Sequence, residues 1–317
     1  MIIDAHMHVK FKGFEAKNVI AYLDKHRVDQ CWLLTWEEIA PVIPNNYIHL
    51  SVEDVFDTYQ KYPSRVIPMY APDPSAPDFQ DKMIAWHHRG IRGCGELKVA
   101  LSWNSHEIDR LLTCISSLNI PLVFHMEESA DYVVPNSTLW ERFLAKLFSS
   151  SKLFGQPRQM MSLLSRICPP LARKRDRMLC HFPGYLLDFI SLERRLIQFP
   201  QVAFIGHGPL FWKGISADWV YDSSFYPRTP IREEGVICEL LSQYDNLYAD
   251  ISGPSGFNAL HRDRAFARRF VTRYDHKLLY GTDNVELGLK DLLRSLSLTQ
   301  GTYGRIYHDN AVNLIPG

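Results

Sequence analysis

Short apolar segments rich in β-branched residues alternate with longer segments of helical period along this chain, and the alternation repeats eight times. Strands that alternate with helices are typical of a parallel sheet covered by helices. Eight repeats favour a closed barrel over an open sheet. The sequence therefore predicts an α/β protein with a (β/α)8 TIM barrel. The predicted strands are residues 2–9, 30–36, 65–70, 91–99, 121–127, 202–207, 247–251 and 277–283. The predicted helices are residues 14–27, 52–62, 79–89, 106–118, 186–199, 233–244, 263–274 and 285–297.

One segment interrupts the alternation. Residues 128–185 separate the fifth predicted strand from the next helix, whereas an ordinary βα loop has about two to six residues. Residues 141–178 contain nine basic side chains and two acidic ones. We predict that residues 1–317 form a single barrel domain and that 128–185 is a basic cap over the C-terminal ends of the strands. A helical hairpin with a solvated basic face is the alternative, and a phosphate or nucleic-acid contact is a weaker one.

Composition excludes several classes of partner. The 35 Lys and Arg residues balance 35 Asp and Glu residues, so the chain has no net charge that would attract nucleic acid or a membrane surface. No apolar run is long enough to span a bilayer, and the N-terminus lacks a signal sequence. The six cysteines are scattered, which is typical of a reducing compartment. We predict a soluble cytoplasmic protein with a small-molecule substrate, and a homo-oligomer is the default expectation.

Histidines and a carboxylate occur where the predicted strands end. His6 and His8 end the first strand and point to the same face, roughly 7 Å apart. His125, His207 and Asp283 end the fifth, sixth and eighth strands. A single histidine at a strand end is usually structural, but five such residues at the same end of a barrel supply the nitrogen and oxygen ligands that Zn²⁺ prefers. The sequence therefore predicts a metal site.

The fourth predicted strand carries further polar residues. Its period of two places Cys94, Glu96 and Lys98 on one face, with Glu96 and Lys98 directed into the barrel. Either side chain can reach a metal ion there. The alternative is an internal ion pair between Glu96 and Lys98 that fills the barrel.

Three more residues are candidates for the site. Glu127 and Asp250 lie near strand ends, where a carboxylate either contacts substrate or orients an imidazole. Trp212 follows His207 closely and is predicted to contact substrate at the rim of the site. The alternative for Trp212 is a rigid turn that contains a buried indole.

Taken together, the Asp-x-His-x-His sequence of the first strand, the strand-end residues of the fifth, sixth and eighth, and the closing segment 306–314 resemble the amidohydrolase superfamily. Within it the chain resembles the amidohydrolase-related branch of metal-dependent hydrolases and decarboxylases over essentially its whole length. The resemblance implies a distorted barrel in which His6, His8, His125 and Asp283 hold a divalent ion, commonly zinc. It places His207 beside the bound water or the developing charge of the substrate. Two-metal relatives have a bridging Lys or Glu on the fourth strand, a position that Glu96 matches, so one or two ions are expected.

The residues then predict a chemistry. A divalent ion lowers the pKa of bound water from about 15.7 toward about 7 and polarises a carbonyl group. Asp283 is predicted to act as general acid–base, and His207 to stabilise an oxyanion or assist the proton transfer. Lys98, Glu127, Trp212 and Asp250 are the predicted substrate-binding residues. We predict a metal-dependent hydrolase that cleaves a C–N or C–O bond of a small anionic substrate. The alternatives are a non-oxidative decarboxylase on the same scaffold and a barrel that binds a ligand without catalysis.

Overall fold

The structure is a computed structural model that describes residues 1–37, 49–133, 179–222 and 224–315. The chain divides into two compact units. The larger unit comprises Met1–Ile39, Ile48–Glu127 and Tyr185–Gly317, and the smaller comprises Ala40–Tyr47 and Glu128–Gly184. The predicted basic residues between Arg142 and Arg177 lie outside the described residues, so the cap stays a prediction.

All eight predicted strands are present as parallel strands of the larger unit, each shorter than predicted. The hydrogen-bonded order is β1–β2–β3 in one sheet and β4–β5–β8–β9–β10 in the other. In the smaller unit β6 and β7 form an antiparallel pair that the sequence did not predict. The strands are β1 Ile3–Met7, β2 Gln30–Leu33, β3 Val66–Pro68, β4 Cys94–Leu97, β5 Leu122–His125, β6 Ala130–Val133, β7 Leu179–Phe182, β8 Phe204–His207, β9 Leu247–Asp250 and β10 Leu278–Leu279.

Backbone hydrogen bonds join the two parallel sheets at both edges. Beyond β3, the amide of Tyr70 donates to the carbonyl oxygen of Gly93 at 3.0 Å. Between β10 and β1, the amide of Ala5 donates to Tyr280 at 2.8 Å and the amide of Asp283 donates to His6 at 2.8 Å. The regular ladders stop at these junctions. The eight strands therefore form the predicted barrel, in a distorted form.

Helices follow the strands at the predicted places, and side-chain caps set several of their starts. Ser51 and Ser105 accept hydrogen bonds from the backbone amides of Asp54 and Ile108, which satisfies a free donor at each helix start. The helices are α1 Ala16–His26, α2 Val52–Lys61, α3 Phe79–Arg89, α4 His106–Ser117, α5 Phe189–Gln198, α6 Pro209–Lys213, α7 Val236–Gln243, α8 Gly253–His261, α9 Arg264–Tyr274, α10 Leu289–Ser295, α11 Gln300–Gly304 and α12 Asn310–Leu314. Among the described residues, no helix is both long and apolar enough to cross a membrane.

Two apolar clusters stabilise the larger unit. The larger cluster packs the strands against the surrounding helices. The smaller one lies inside the barrel and is closed by Ala311 of the C-terminal helix α12 and by Ile315, which follows that helix. Its other buried members lie on the strands or directly after them, and they are Ile3, Ala5, Trp32, Leu34, Met69, Val123, Ile205 and Leu279. The polar residues at the C-terminal ends of the strands therefore lie next to this buried apolar cluster.

Irregular registers in two strands change which residues face inward. In β1 the pairing shifts between Asp4 and Met7, so that Ala5 belongs to the inner cluster and Met7 to the outer one. In β4 it shifts between Cys94 and Leu97, and both of these residues belong to the outer cluster. The prediction that Cys94 shares a face with Glu96 is therefore wrong, because strict alternation does not hold across such a shift.

Candidate metal centre

The imidazoles of His6 and His8 point their Nε2 atoms toward each other. Their Nε2 atoms lie 3.2 Å apart, and both side chains are fully buried. The Nδ1 atom of His6 lies 2.5 Å from Oδ2 of Asp250, and Nδ1 of His8 donates to the carbonyl oxygen of Leu34 at 2.9 Å. Because each Nδ1 has an acceptor, the lone pairs of the two Nε2 atoms face each other. A cation between them, a proton or a metal ion, makes this approach favourable.

Glu96 occupies the centre of the cluster, and four imidazoles face its carboxylate. Oε2 lies 3.7 Å from Nε2 of His6 and 3.5 Å from Nε2 of His8. Oε1 lies 2.7 Å from Nδ1 of His125 and 3.8 Å from Nε2 of His207. Each carboxylate oxygen therefore faces its own pair of histidines, although Glu96 is only 1% exposed.

The outward nitrogens of His125 and His207 also have partners. Nε2 of His125 lies 3.1 Å from Oε2 of Glu127. Nδ1 of His207 lies 3.2 Å from the hydroxyl of Ser252 and 3.3 Å from Oδ2 of Asp250. Outer carboxylates that bind the second nitrogen of a histidine fix its tautomer and ring orientation, an arrangement that is typical of metal-binding histidines.

Asp283 completes the cluster at its more open side. Its Oδ1 lies 3.6 Å from Nε2 of His8, and the side chain is 17% exposed. A Cβ at Gly253 would lie 3.1 Å from Oδ2 of Asp283, so glycine at that position keeps space in front of the carboxylate. Within the described part of the chain, three groups bring ligand atoms within 4.8 Å of one another: His6 with His8 and Asp283, His6 with His207 and Asp250, and Glu96 with His125 and His207.

Burial and carboxylates act in opposite directions on the imidazoles. Burial acts to lower the pKa of His6, but the carboxylates of Asp250 and Glu96 outweigh it and hold that pKa well above its usual value. Burial lowers the pKa of His8 and of His207, so these rings are neutral near pH 7. A neutral imidazole is the form that binds a metal ion.

The central carboxylates stay ionised despite their burial. Burial acts to raise the pKa of Glu96, but Lys98, His125 and His6 hold it well below its usual value. Burial also acts to raise the pKa of Asp250, and the neighbouring histidines lower it instead. Buried ionised carboxylates need positive charge nearby, and here Lys98 and His6 supply it.

Two observations test whether the residues fit a metal ion. Oε2 of Glu96 is buried and accepts no hydrogen bond from the described residues, although Nζ of Lys98 lies 3.3 Å away. The separation of 3.2 Å between the Nε2 atoms of His6 and His8 is close to the roughly 3.4 Å expected for two nitrogens on one tetrahedral zinc ion. The donor set therefore fits a divalent cation bound by nitrogen and oxygen.

The remaining predicted residues differ in their placement. Lys98 lies at the site, with Nζ 3.6 Å from the ring centroid of Trp36 and its side chain 10% exposed. Glu127 and Asp250 contact histidines, which favours the orienting role that the sequence left open for them. Trp212 is 2% exposed and its indole donates to the carbonyl oxygen of Asp250 at 2.9 Å, which favours the alternative of a buried structural indole.

The sequence did not single out several residues of this region. Ser252 contacts His207, and the side chain of Asn284 binds the backbone of His8. Burial raises the pKa of Tyr226, and the carboxylates of Glu127 and Asp283 act in the same direction. A polar residue directly after a strand-end motif, as at 252 and 284, is the signal that would have identified two of them.

Solved structures of other proteins share this fold over almost the whole chain. A probable 2-pyrone-4,6-dicarboxylic acid hydrolase from Acinetobacter baumannii is 12% identical, with a TM-score of 0.54, over 99% of this chain and 98% of that chain. An uncharacterised TIM-barrel protein from Bordetella bronchiseptica is 13% identical, with a TM-score of 0.57, over 99% and 97% of the two chains. An amidohydrolase from Burkholderia multivorans, solved with bound zinc, is 8% identical, with a TM-score of 0.52, over 100% of both chains.

Neither a protein-family model nor a curated protein sequence matches the chain. At these identities the structural likeness concerns the fold. The chain has the α/β barrel fold that these proteins share, among them an amidohydrolase, as its eight repeats of strand and helix predicted.

Proposed function

We propose that this protein is a divalent-metal-dependent hydrolase that cleaves a C–N or C–O bond of a small substrate. The observation that carries the proposal is the arrangement around Glu96, where four buried imidazoles face one ionised carboxylate beside Asp283. These donors lie at the C-terminal ends of the barrel strands, which is where barrel enzymes have their active sites.

The ligands fall into two sets that meet at Glu96. His6, His8 and Asp283 would hold one ion, with Oε2 of Glu96 facing the same side. His125 and Oε1 of Glu96 face the other side together with His207, and they support a second ion there. Three or more donors of nitrogen and oxygen favour zinc, and manganese is the main competitor for such a site. The metal content of the purified protein decides between one ion and two.

Once bound, the ion would supply a strong Lewis acid that acidifies water and polarises the scissile carbonyl. The carboxylate of Asp283 is the most accessible acidic group of the cluster, so it would accept a proton and return it to the leaving group. Nδ1 of His207 is held by Ser252 and Asp250, which orients Nε2 toward the centre. Because the neutral ring presents a lone pair at Nε2, we assign His207 to the second ion where two are bound and to assisting the proton transfer where one is bound.

A small anionic substrate fits the charges at the site. The ammonium group of Lys98 lies beside the carboxylate of Glu96 and over the ring of Trp36. If Glu96 bound a metal ion, its negative charge would be shared with that ion and would balance the charge of Lys98 less completely. A carboxylate on the substrate could then interact with Lys98.

The first test is metal uptake. We expect the purified protein, stripped with a chelator and reloaded, to bind at least about 0.5 equivalents of Zn²⁺ or Mn²⁺. His8→Ala should lose most of this metal, because the change removes a buried ligand. His88→Ala is the matched control, since it removes an exposed histidine of helix α3. Wild-type protein that takes up no divalent ion would contradict the proposal.

The second test is a substrate screen with the metal-loaded protein. Amides, esters and lactones that carry a carboxylate are the expected substrates, and hydrolysis should depend on the reloaded metal. Release of CO2 from aromatic carboxylates would instead support the decarboxylase. Metal binding without turnover of any class would favour the ligand-binding barrel over the hydrolase.

A further inference from the structure

We propose that Asn284 is a positioning residue that fixes Asp283 and His8 relative to each other. The proposal rests on the metal centre proposed above. It concerns a residue that is not itself a ligand and that acts through hydrogen bonds to the backbone of one.

The side chain of Asn284 pairs with both backbone groups of His8. Its Oδ1 accepts from the amide of His8 at 2.7 Å, and its Nδ2 donates to the carbonyl oxygen of His8 at 2.8 Å. Asn284 is 6% exposed, so water does not replace these bonds readily. The side-chain amide of Asn284 therefore pairs with the backbone of His8 as the backbone of a neighbouring strand would, at a point beyond the end of β10.

The backbone of this turn adopts an unfavourable conformation. Asp283 and Asn284 have φ angles of 53° and 59°, in the left-handed region that residues other than glycine seldom occupy. This conformation turns the chain so that Oδ1 of Asp283 faces Nε2 of His8 at 3.6 Å. Asparagine tolerates the left-handed region better than most residues, and its two bonds to His8 hold the turn in place.

Hydrogen bonds fix the other side of Asp283 as well. Asp4 accepts from the amide of His6 at 3.1 Å and from the amide of Thr282 at 3.0 Å. The hydroxyl of Thr282 donates to the same carboxylate at 2.6 Å. Asp283 thus lies between two side-chain bridges to β1 and the residue that follows it. Without Asn284, the bridge through Asp4 and the bond from the Asp283 amide to His6 would remain, and the contact with His8 would be lost.

The test compares three variants of the full-length protein. Asn284→Ala removes both hydrogen bonds, and Asn284→Gly removes them while keeping the left-handed conformation accessible. Asn246→Ala is the matched control, because its side-chain amide also donates to backbone carbonyl oxygens, those of Leu196, Phe199 and Val202, away from the site.

Zinc affinity is measured by competition with a chelator, and the visible absorption of the Co²⁺-loaded protein reports the coordination geometry. We expect both Asn284 variants to bind Zn²⁺ about 10- to 100-fold more weakly and to show an altered Co²⁺ spectrum. Asn246→Ala should unfold at a lower temperature, yet keep the affinity and spectrum of the wild type. In the metal-free protein, hydrogen exchange of the His8 amide should accelerate in Asn284→Ala and stay unchanged in Asn246→Ala.

Several results would overturn the inference. Wild-type affinity in Asn284→Gly would mean that only the backbone conformation matters. An equal loss of affinity in Asn246→Ala would mean that the effect follows general stability. Unchanged exchange of the His8 amide in Asn284→Ala would show that the hydrogen bonds do not hold the strand. A wild type that binds no metal overturns the proposed function instead, and the exchange measurement separates the two failures.

Discussion

Oδ2 of Asp250 lies 2.5 Å from Nδ1 of His6, and the same oxygen lies 3.3 Å from Nδ1 of His207. One carboxylate on β9 thus orients two imidazoles from different strands. Its other oxygen accepts from the amide of Ser252 at 2.9 Å, so the carboxylate cannot rotate away. The direction of both inner nitrogens depends on Asp250.

Asp250→Asn should weaken metal binding about 10- to 100-fold. An amide N–H in place of Oδ2 would donate to Nδ1 of His6, which forces the proton of the neutral ring onto Nε2 and removes the lone pair that faces His8. Competition with a chelator measures the effect. Asp109→Asn, which alters a carboxylate paired with Arg195, should leave the affinity unchanged. Equal affinities in the two variants would count against the orienting role.

Asp283→Asn should lower turnover by about 100-fold or more and leave the fold intact. The two side chains have the same shape, but the amide cannot accept and return a proton. The measurement pairs kcat on a substrate from the screen with the midpoint of thermal unfolding. Wild-type turnover in this variant would remove Asp283 from the proton transfer.

Gly208→Ala should destabilise the protein more than Gly288→Ala does. Both glycines have positive φ angles, 100° and 82°, so alanine is strained at either position, and more so at Gly208, whose ψ of 168° lies in a region that is almost restricted to glycine. A Cβ at Gly208 would also lie 2.5 Å from the carbonyl oxygen of Met126 and 2.9 Å from Cδ2 of His125, whereas nothing lies within 4 Å at Gly288. The difference in free energy of unfolding should be about 1–3 kcal/mol in urea denaturation. Equal losses of free energy of unfolding in the two variants would mean that the atoms around Gly208 move away from the added methyl group without a cost in stability.

Asp275→Asn should reduce stability in a pH-dependent way. Burial acts to raise the pKa of Asp275, but hydrogen bonds from Arg305 and Thr302 outweigh it and lower the pKa below its usual value. The ionised group therefore stabilises the fold above the unfolded pKa of about 4, and this contribution is lost as the pH falls through the folded pKa. The free energy of unfolding should fall by about 1–3 kcal/mol at pH 7, and the deficit should shrink below pH 4.

Urea denaturation at several pH values checks this expectation. Asp291→Asn serves as the control, because Asp291 forms an exposed pair with Arg294. Such a pair contributes about 1 kcal/mol or less. A deficit in Asp275→Asn that stays constant with pH would contradict the role of its charge.

The sequence predicted the strands and most side chains of the cluster because both depend on local pattern. A strand of a barrel is an apolar run, and a functional side chain at its C-terminal end is visible as the residue that closes the run. His6, His8, His125, His207 and Asp283 were all identified in this way, and the structure brings them together.

Residues that act through tertiary hydrogen bonds were harder to predict. Asn284 binds the backbone of a residue 276 positions away in the chain, and no period in the sequence records that contact. The face of Cys94 was predicted wrongly because a register shift in β4 breaks the period of two. The burial of Trp212 depends on helix α6, which is too short to leave a helical pattern.

Strands β5 and β8 pair directly, in register from Leu122 with Phe204 to His125 with His207. The hydrogen bonds of this ladder come from the two strands themselves, so the ladder does not depend on the length of the chain between them. Doubling a flexible connection costs only about 0.6 kcal/mol in closure entropy. We therefore expect that residues inserted between 127 and 185 would leave His125 and His207 side by side at the ends of their strands.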